Sequence, residues 1–161
     1  MIRVLLAIVV LGVTACSAPE DAPTLKSDGT AEAAVRTALG EAVSPDVPLT
    51  VRVMEARRVA ADTLRVELLL VNTAAPGSPE AQRVAGAVMQ LAGLSLVSSD
   101  RRRRLFPLRD ADGATAWGGL EPPPPGGQQT FWALFPSLPQ GQDRVTVLLP
   151  GLPAITDVPV S

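Results

Sequence analysis

Two neighbouring segments alternate apolar and polar side chains, and this period of two restricts the fold more than any other feature of the sequence. In the first segment the apolar positions are Leu49, Val51 and Val53. In the second segment they are Leu64, Val66, Leu68 and Leu70. Successive side chains of a strand point to opposite faces of a sheet, so this alternation is typical of strands with one buried face. The pattern predicts two half-buried strands joined by a turn at Ala61-Asp62.

Further apolar segments extend this β pattern to the end of the chain. Additional strands are predicted over residues 93–97, 104–108, 130–135, 144–149 and 154–158. The 16 prolines fit many edges and loops, because proline cannot donate a hydrogen bond inside a sheet. About seven short strands separated by Pro and Gly turns predict a mainly β fold, a single antiparallel β-sandwich over residues 48–161.

Two helices are predicted beside the strands. One is inserted between the second and third strands, where Ser78 is a helix cap and Pro79 takes the first helical position. Its buried side is expected to comprise Ala81, Val84, Val88 and Leu91, and Gly93 is expected to end it. A shorter helix is predicted over residues 31–39, capped by Thr30 and ended by Gly40, with a connector that continues to residue 47.

The residue types that are missing exclude several classes of function. The chain has no His and no Tyr, and it has a single Cys. Histidine-based acid–base catalysis, serine-type triads and most transition-metal sites therefore cannot be built, and neither a metal nor a cofactor is expected. A net charge of −2 argues against a nucleic-acid partner, because such proteins carry a basic excess. A non-enzymatic protein is predicted.

The first sixteen residues have the organisation of an export signal. Arg3 supplies a positive charge, and residues 4–13 follow without a charged side chain. That stretch is too short to cross a bilayer, which takes about 20 residues in a helix. Small residues before a cleavage point complete the pattern of a signal peptide over residues 1–15.

The residues at the cleavage point are Val13-Thr14-Ala15-Cys16, which resemble the lipobox of bacterial lipoproteins. The resemblance implies that Cys16 is acylated on sulfur, becomes the first residue after cleavage, and is acylated again on its amine. Residues 16–30 would then form a lipidated flexible tether, because they are small, polar and interrupted by proline. The protein would be lipid-anchored in the cell membrane or outer membrane, facing the extracytoplasmic side. The alternative is an ordinary signal peptide with Cys16 left as a thiol.

Three segments of the second half of the chain form a distinctive pattern, and they cover residues 107–113, 125–135 and 145–160. They contain a turn with an Arg followed by Asp-Gly, a Pro-Gly step into an aromatic strand, and a terminal pair of strands. This pattern resembles an uncharacterised group of immunoglobulin-like domains from secreted envelope proteins of actinobacteria. The resemblance implies an immunoglobulin-like sandwich and an envelope location, and it implies no reaction.

A run of four arginines, Arg101, Arg102, Arg103 and Arg104, is the first candidate site. It is interpreted either as a solvated hairpin or as a contact for a protein partner or lipid headgroups. In a strand only two of the four side chains would share a face. Asp100, Asp110 and Asp112 lie close in sequence and are expected to offset much of the charge.

Three other features could carry chemistry. Asp110 and Asp112 before Gly113 resemble the start of a calcium loop, but they also suit a tight turn, and the later ligands are missing. Prolines 122–125 form a stiff spacer or a recognition motif. The five aromatics, which form either core or a ligand platform, are Phe106, Trp117, Phe131, Trp132 and Phe135. Trp117, beside two glycines in an expected loop, is the best candidate for an exposed contact.

Two functions fit these features. In the first, the protein is a lipid-tethered interaction module that contacts another envelope protein through the arginine run or a sheet edge. In the second, it binds a small ligand or cell-wall polymer on an aromatic platform around Trp117. Neither hypothesis fixes the oligomeric state.

Overall fold

The computed structural model describes residues 36–161, which fold mainly into β-strands with one α-helix. The first strands are β1 (Gly40–Val43), β2 (Leu49–Ala60) and β3 (Thr63–Asn72). Helix α1 (Pro79–Gln90) follows and continues into a 3-10 turn, Leu91–Gly93. The remaining strands are β4 (Ser95–Ser98), β5 (Arg104–Leu105), β6 (Trp117–Gly118), β7 (Gln128–Pro136), β8 (Arg144–Leu148) and β9 (Ile155–Pro159).

The strands form two antiparallel sheets. The first has the order β1-β2-β3-β7-β6, and the second has the order β5-β4-β8-β9. The β2–β3 hairpin turns at Ala61-Asp62, as the alternating pattern predicts. The apolar positions of that pattern are all fully buried, so the expectation of half-buried strands is confirmed.

One hydrophobic core joins the two sheets. Its largest side chains on the first sheet are Phe131 and Phe135 of β7, which are both fully buried. The second sheet contributes Leu96 of β4 and Val145 and Val147 of β8. The arrangement is therefore sandwich-like, with the inward-facing residues of each strand packed in a shared interior.

Helix α1 begins and packs as the sequence predicts. The Ser78 hydroxyl accepts a hydrogen bond from the Ala81 backbone N–H at 3.3 Å, and proline occupies the first helical position. Val84, Val88 and Leu91 are fully buried in the core. Ala81 is only partly buried, because it lies in the first turn at the margin of the packed face.

Of the features predicted for the N-terminal region, the structure describes only the last four residues of the short helix and the connector that follows it. The signal peptide, Cys16, the tether and most of the short helix lie outside the described residues. Residues 36–39 are not helical, and Gly40 begins β1 where it was expected to end a helix. The Leu39 N–H donates to the Val53 carbonyl at 2.7 Å, so this segment pairs with β2. A short helix is marginal alone, and sheet pairing outweighs its weak propensity.

Gly40 is required by packing between the sheets. A Cβ at this position would lie 2.3 Å from Cγ2 of Ile155 in β9. Because glycine has no Cβ, β1 can approach β9 closely here. The sequence predicts that Gly40 ends a helix, whereas the residue is needed for this close approach of two strands.

No helix within residues 36–161 has the length and apolar character needed to cross a bilayer.

Candidate functional site: the basic hairpin

Strands β4 and β5 and the turn between them form a basic hairpin, residues 95–105. The turn is closed by two backbone hydrogen bonds, from the Ser98 N–H to Arg103 O at 3.0 Å and from the Arg101 N–H to Ser98 O at 2.8 Å. Asp100 strengthens it, because one carboxylate oxygen accepts from the Ser98 hydroxyl at 2.5 Å and from the Arg102 N–H at 3.1 Å. The turn is therefore held by its own polar groups.

Asp100 also connects the hairpin to the loop between β7 and β8. Its second carboxylate oxygen accepts a hydrogen bond from the Gln142 side-chain amide at 3.1 Å. The carboxylate thus joins two loops that lie far apart in sequence. This contact fixes the hairpin turn against the body of the sandwich.

All four arginines of the run are exposed. None of them forms an ion pair with a carboxylate among residues 36–161, although five other arginines of that region do. Asp100 accepts from hydroxyl, amide and backbone groups, and Asp110 is used by its own turn. The sequence predicts that the nearby aspartates offset much of this charge, and within the described residues none of them forms an ion pair with the run.

The arginine run does not form a regular strand. Only Arg104 belongs to β5, and the other three lie in the turn, so the expected alternation between faces does not apply. The Arg104 Nε donates to the Ser95 hydroxyl at 3.0 Å. Its guanidinium carbon lies 5.3 Å from the ring centre of Phe106, which is 57% exposed. An exposed aromatic ring thus lies next to the basic surface, in a cation–π contact with Arg104.

Acid is expected to loosen this turn. The Ser98 hydroxyl, followed by the Arg102 N–H, lowers the pKa of Asp100 below its ordinary value. Because the folded pKa is depressed, this stabilisation is complete above the ordinary aspartate pKa and is lost as pH falls through the lowered value. In an acid titration followed by NMR, the Arg102 amide should shift, and its protection against hydrogen exchange relative to the intrinsic rate should fall at low pH. The Asp100→Asn variant should lack that titration, and an identical titration in this variant would contradict the assignment.

The Asp-Gly segment forms a tight turn. One Asp110 carboxylate oxygen accepts hydrogen bonds from the N–H groups of Asp112 at 3.0 Å and Ala114 at 2.9 Å. Gly113 has a φ of 81°, a conformation that favours glycine. Within residues 36–161 no group of three or more His, Cys, Asp or Glu side chains is arranged to hold a metal ion. These residues support the turn interpretation.

Trp117 lies in a strand and not in the expected loop. It pairs with Ala133 across the edge of the first sheet, and it is half-buried against the core. Its ring meets Phe131 edge-on, with the centroids 6.2 Å apart. The glycines beside it suggested a loop, but pairing to the exposed edge of β7 draws the segment into the sheet. The indole thereby presents less surface to a ligand than a loop residue would.

The other aromatics divide between the two faces of β7. Phe131 and Phe135 are buried in the core, as expected for one face. Trp132 lies on the opposite face, half-buried, with the Arg65 guanidinium carbon 5.4 Å from its ring centre. Gly118 lies beside this indole, since a Cβ there would be 2.7 Å from it. The outer aromatic surface is therefore partly covered by a cation and a neighbouring strand.

Sequence reading missed the residue that positions the proline run. The Asn72 side-chain amide donates to Pro123 O at 3.0 Å, and its carbonyl oxygen accepts from the Ala74 N–H at 3.0 Å. Asn72 is 2% exposed, so it is a buried polar side chain with both of its ends hydrogen-bonded. These contacts agree with a fixed spacer. Its only signal in the sequence is an Asn at the end of an apolar strand, which ordinary turns share.

Comparison with known proteins gives no match: no family model, no curated protein and no solved structure is similar to this chain.

Proposed function

We propose that this protein is a lipid-anchored, extracytoplasmic interaction module that binds an acidic surface of another envelope protein through the basic hairpin. The module acts by binding and carries out no reaction. Its two sheets would form an immunoglobulin-like sandwich, with Cys16 as the acylated residue that holds it at the cell membrane or outer membrane. The sandwich-like fold and the lipobox-like sequence support this assignment.

The proposal rests on one observation, which is that the four arginines of the run are exposed and have no ion-pair partners among residues 36–161. Three of them lie in a turn that Asp100 holds in place. Guanidinium groups bind carboxylates in a bidentate geometry and are desolvated more easily than ammonium groups. A basic patch of this kind also accelerates encounter with an acidic partner.

Phe106 favours a protein partner over bulk electrostatic attraction to a membrane. Its ring is exposed and lies under the Arg104 guanidinium, so cation and aromatic surface are adjacent. Aromatic residues, including Phe, and arginine are enriched in protein–protein interfaces relative to the rest of the surface. The aromatic platform proposed around Trp117 has less support, because that ring packs against Phe131.

The test is crosslinking in cells followed by mass spectrometry. The double charge reversal Arg102→Glu and Arg104→Glu should reduce recovery of the crosslinked partner by more than tenfold, because both cations would then repel an acidic surface. The matched control reverses Arg57 and Arg83, which are exposed and already paired with Glu55 and Glu80. Full recovery of the partner with the Arg102 and Arg104 variant, or recovery of lipid alone from the wild type, would contradict the proposal.

The anchor is tested in the same cells by Cys16→Ser. Loss of the acylated thiol should leave the protein unprocessed or release it in soluble form, because two or three acyl chains supply the membrane affinity. A processed Cys16→Ser protein that stays in the membrane fraction would refute lipidation.

A further inference from the structure

A cleft of about 240 Å³ opens between the turn of the basic hairpin and strand β9. We call it the β9 cleft, and it is lined by Ser99, Arg101, Arg144, Thr146, Thr156 and Asp157. The first two residues belong to the hairpin turn, and the others belong to β8 and β9. The hairpin and the end of the second sheet thus share one concave surface.

The backbone around the β9 cleft is irregular on both sides. Arg101 and Asp157, both with a φ of 57°, are the only non-glycine residues in the described part of the chain with a left-handed backbone. Such conformations are costly for side chains with a Cβ, and they concentrate where a side chain must be aimed. Both residues line this cleft.

A β-bulge accounts for the position of Asp157. Val145 pairs with Val158, while Val147 pairs with Ile155, so β9 carries one extra residue opposite Thr146. An extra residue of this kind bends the strand and redirects side chains. The bulge brings both Thr156 and Asp157 to the cleft.

The polar groups of the cleft suit a singly charged oxyanion. The charged lining residues are two arginines, Arg101 and Arg144, and one aspartate, Asp157, which leaves one net positive charge. The Arg144 guanidinium donates to Asp157 O at 3.0 Å, which orients it and uses one of its five N–H groups. The Arg101 side chain has no hydrogen-bond partner among residues 36–161.

The shape of the anion follows from these donors. Two planar guanidiniums match the two oxygens of a carboxylate, and neighbouring threonine hydroxyls supply further donors. A carboxylate would neutralise the one net positive charge of the lining residues, whereas a doubly charged phosphate would leave a net negative charge beside Asp157. A carboxylate is therefore the better fit.

We propose that the β9 cleft binds the carboxylate of a Glu or Asp side chain presented by the protein partner. This inference rests on the proposed function, because it identifies which chemical group of an acidic partner the hairpin receives. Arg101 and Arg144 hold the carboxylate, and the hydroxyls of Thr146 and Thr156 complete its hydrogen bonds. The remaining arginines of the run contact the surrounding acidic surface.

The probe is a tetra-glutamate peptide blocked at both ends, with the tetra-glutamine peptide as its neutral control. NMR titrations use the full chain carrying Cys16→Ser, which keeps it free of lipid. The glutamate peptide should produce saturable shifts of the Arg101, Thr156 and Asp157 amides, and the glutamine peptide should not. Arg144→Gln should raise the dissociation constant at least fivefold, while Arg83→Gln should leave it unchanged.

Additional measurements distinguish a protein carboxylate from small free anions, and a second variant covers the case in which the first one misfolds. Arg101→Gln should weaken the peptide as Arg144→Gln does, so that misfolding of one variant leaves the other decisive. Equal shifts with both peptides, or saturation by sodium acetate or inorganic phosphate at a lower concentration than the glutamate peptide, would overturn the inference. The proposed function fails separately: it falls if reversal at Arg102 and Arg104 leaves crosslinking intact, whatever the cleft binds.

Discussion

Replacement of Phe131 by alanine is expected to lower the free energy of unfolding by about 3–5 kcal/mol. Phe131 is fully buried on β7, the strand next to the centre of the first sheet, and it also meets Trp117 edge-on. The substitution removes the ring from the core shared by both sheets and leaves a cavity that the surrounding strands fill only partly. A domain of this size has a total stability of about 5–15 kcal/mol, so the variant should be close to unfolding.

Urea denaturation followed by tryptophan fluorescence measures this effect. The matched control is Phe106→Ala, which removes the same ring from a position that is 57% exposed. It should cost less than about 1 kcal/mol, because the ring gives up little buried area. Equal losses at the two positions would show that the assigned core is wrong.

Replacement of Asn72 by alanine is the second large effect, an expected loss of about 2–4 kcal/mol. The side chain satisfies Pro123 O and the Ala74 N–H, and it does so while buried. Alanine would leave both of these backbone groups without their partner, and each unsatisfied buried group costs about 1–3 kcal/mol. The loop of prolines should also become more mobile, since the hydrogen bond to Pro123 O is lost and only backbone contacts such as Asn72 N–H to Gly127 O remain.

The control for Asn72 is its exposed neighbour Thr73. The Thr73 hydroxyl donates to Pro48 O at 3.4 Å, a longer and solvent-exposed hydrogen bond. Thr73→Ala should therefore change stability by less than about 0.5 kcal/mol. Hydrogen exchange of the Gly127 and Gln128 amides reports the loop directly, and unaltered protection in Asn72→Ala would exclude an anchoring role.

The sequence predicts those parts of the fold that depend on local patterning. The strands of the β2–β3 hairpin follow from alternation over residues 49–54 and 64–70, which lie within β2 and β3, and α1 follows from its cap and first-turn proline. Alternation and helix capping both depend on residues that are close in sequence, so a single sequence is enough to recognise them. The buried faces of these elements are correct for the same reason, except at Ala81, which is only partly buried.

Features that depend on contacts between distant segments were missed. Strand β1 exists because its backbone pairs with β2 and because Gly40 fits against Ile155, a residue more than a hundred positions away. Strand β6 likewise forms on the free edge of β7, which no local pattern around Trp117 indicates. Edge strands are short, and tertiary pairing decides their conformation more than their own propensity does.

The sequence indicates the four arginines of the candidate site but not the residues that surround and position them. The arginine run stands out in the sequence, whereas the turn that holds it depends on Asp100 and on Gln142 from a separate loop. Nothing near Arg101 in the sequence indicates Arg144, Thr156 or Asp157, because the first lies on β8 and a bulge in β9 brings the other two to the cleft. The basic run can therefore be recognised from the sequence, whereas the β9 cleft depends on contacts between distant segments and cannot.

The exposed guanidiniums make the hairpin respond to salt but not to ordinary changes of pH. An arginine stays protonated at any physiological pH, and the chain has no histidine whose charge would change between pH 5 and 8. Dissolved ions, in contrast, limit the reach of these charges to about 8 Å at physiological ionic strength. At the extracytoplasmic location that we propose, the protein would meet both variables directly. The attraction of the hairpin for an acidic partner would then be set by the ionic strength of its surroundings and change little between pH 5 and 8.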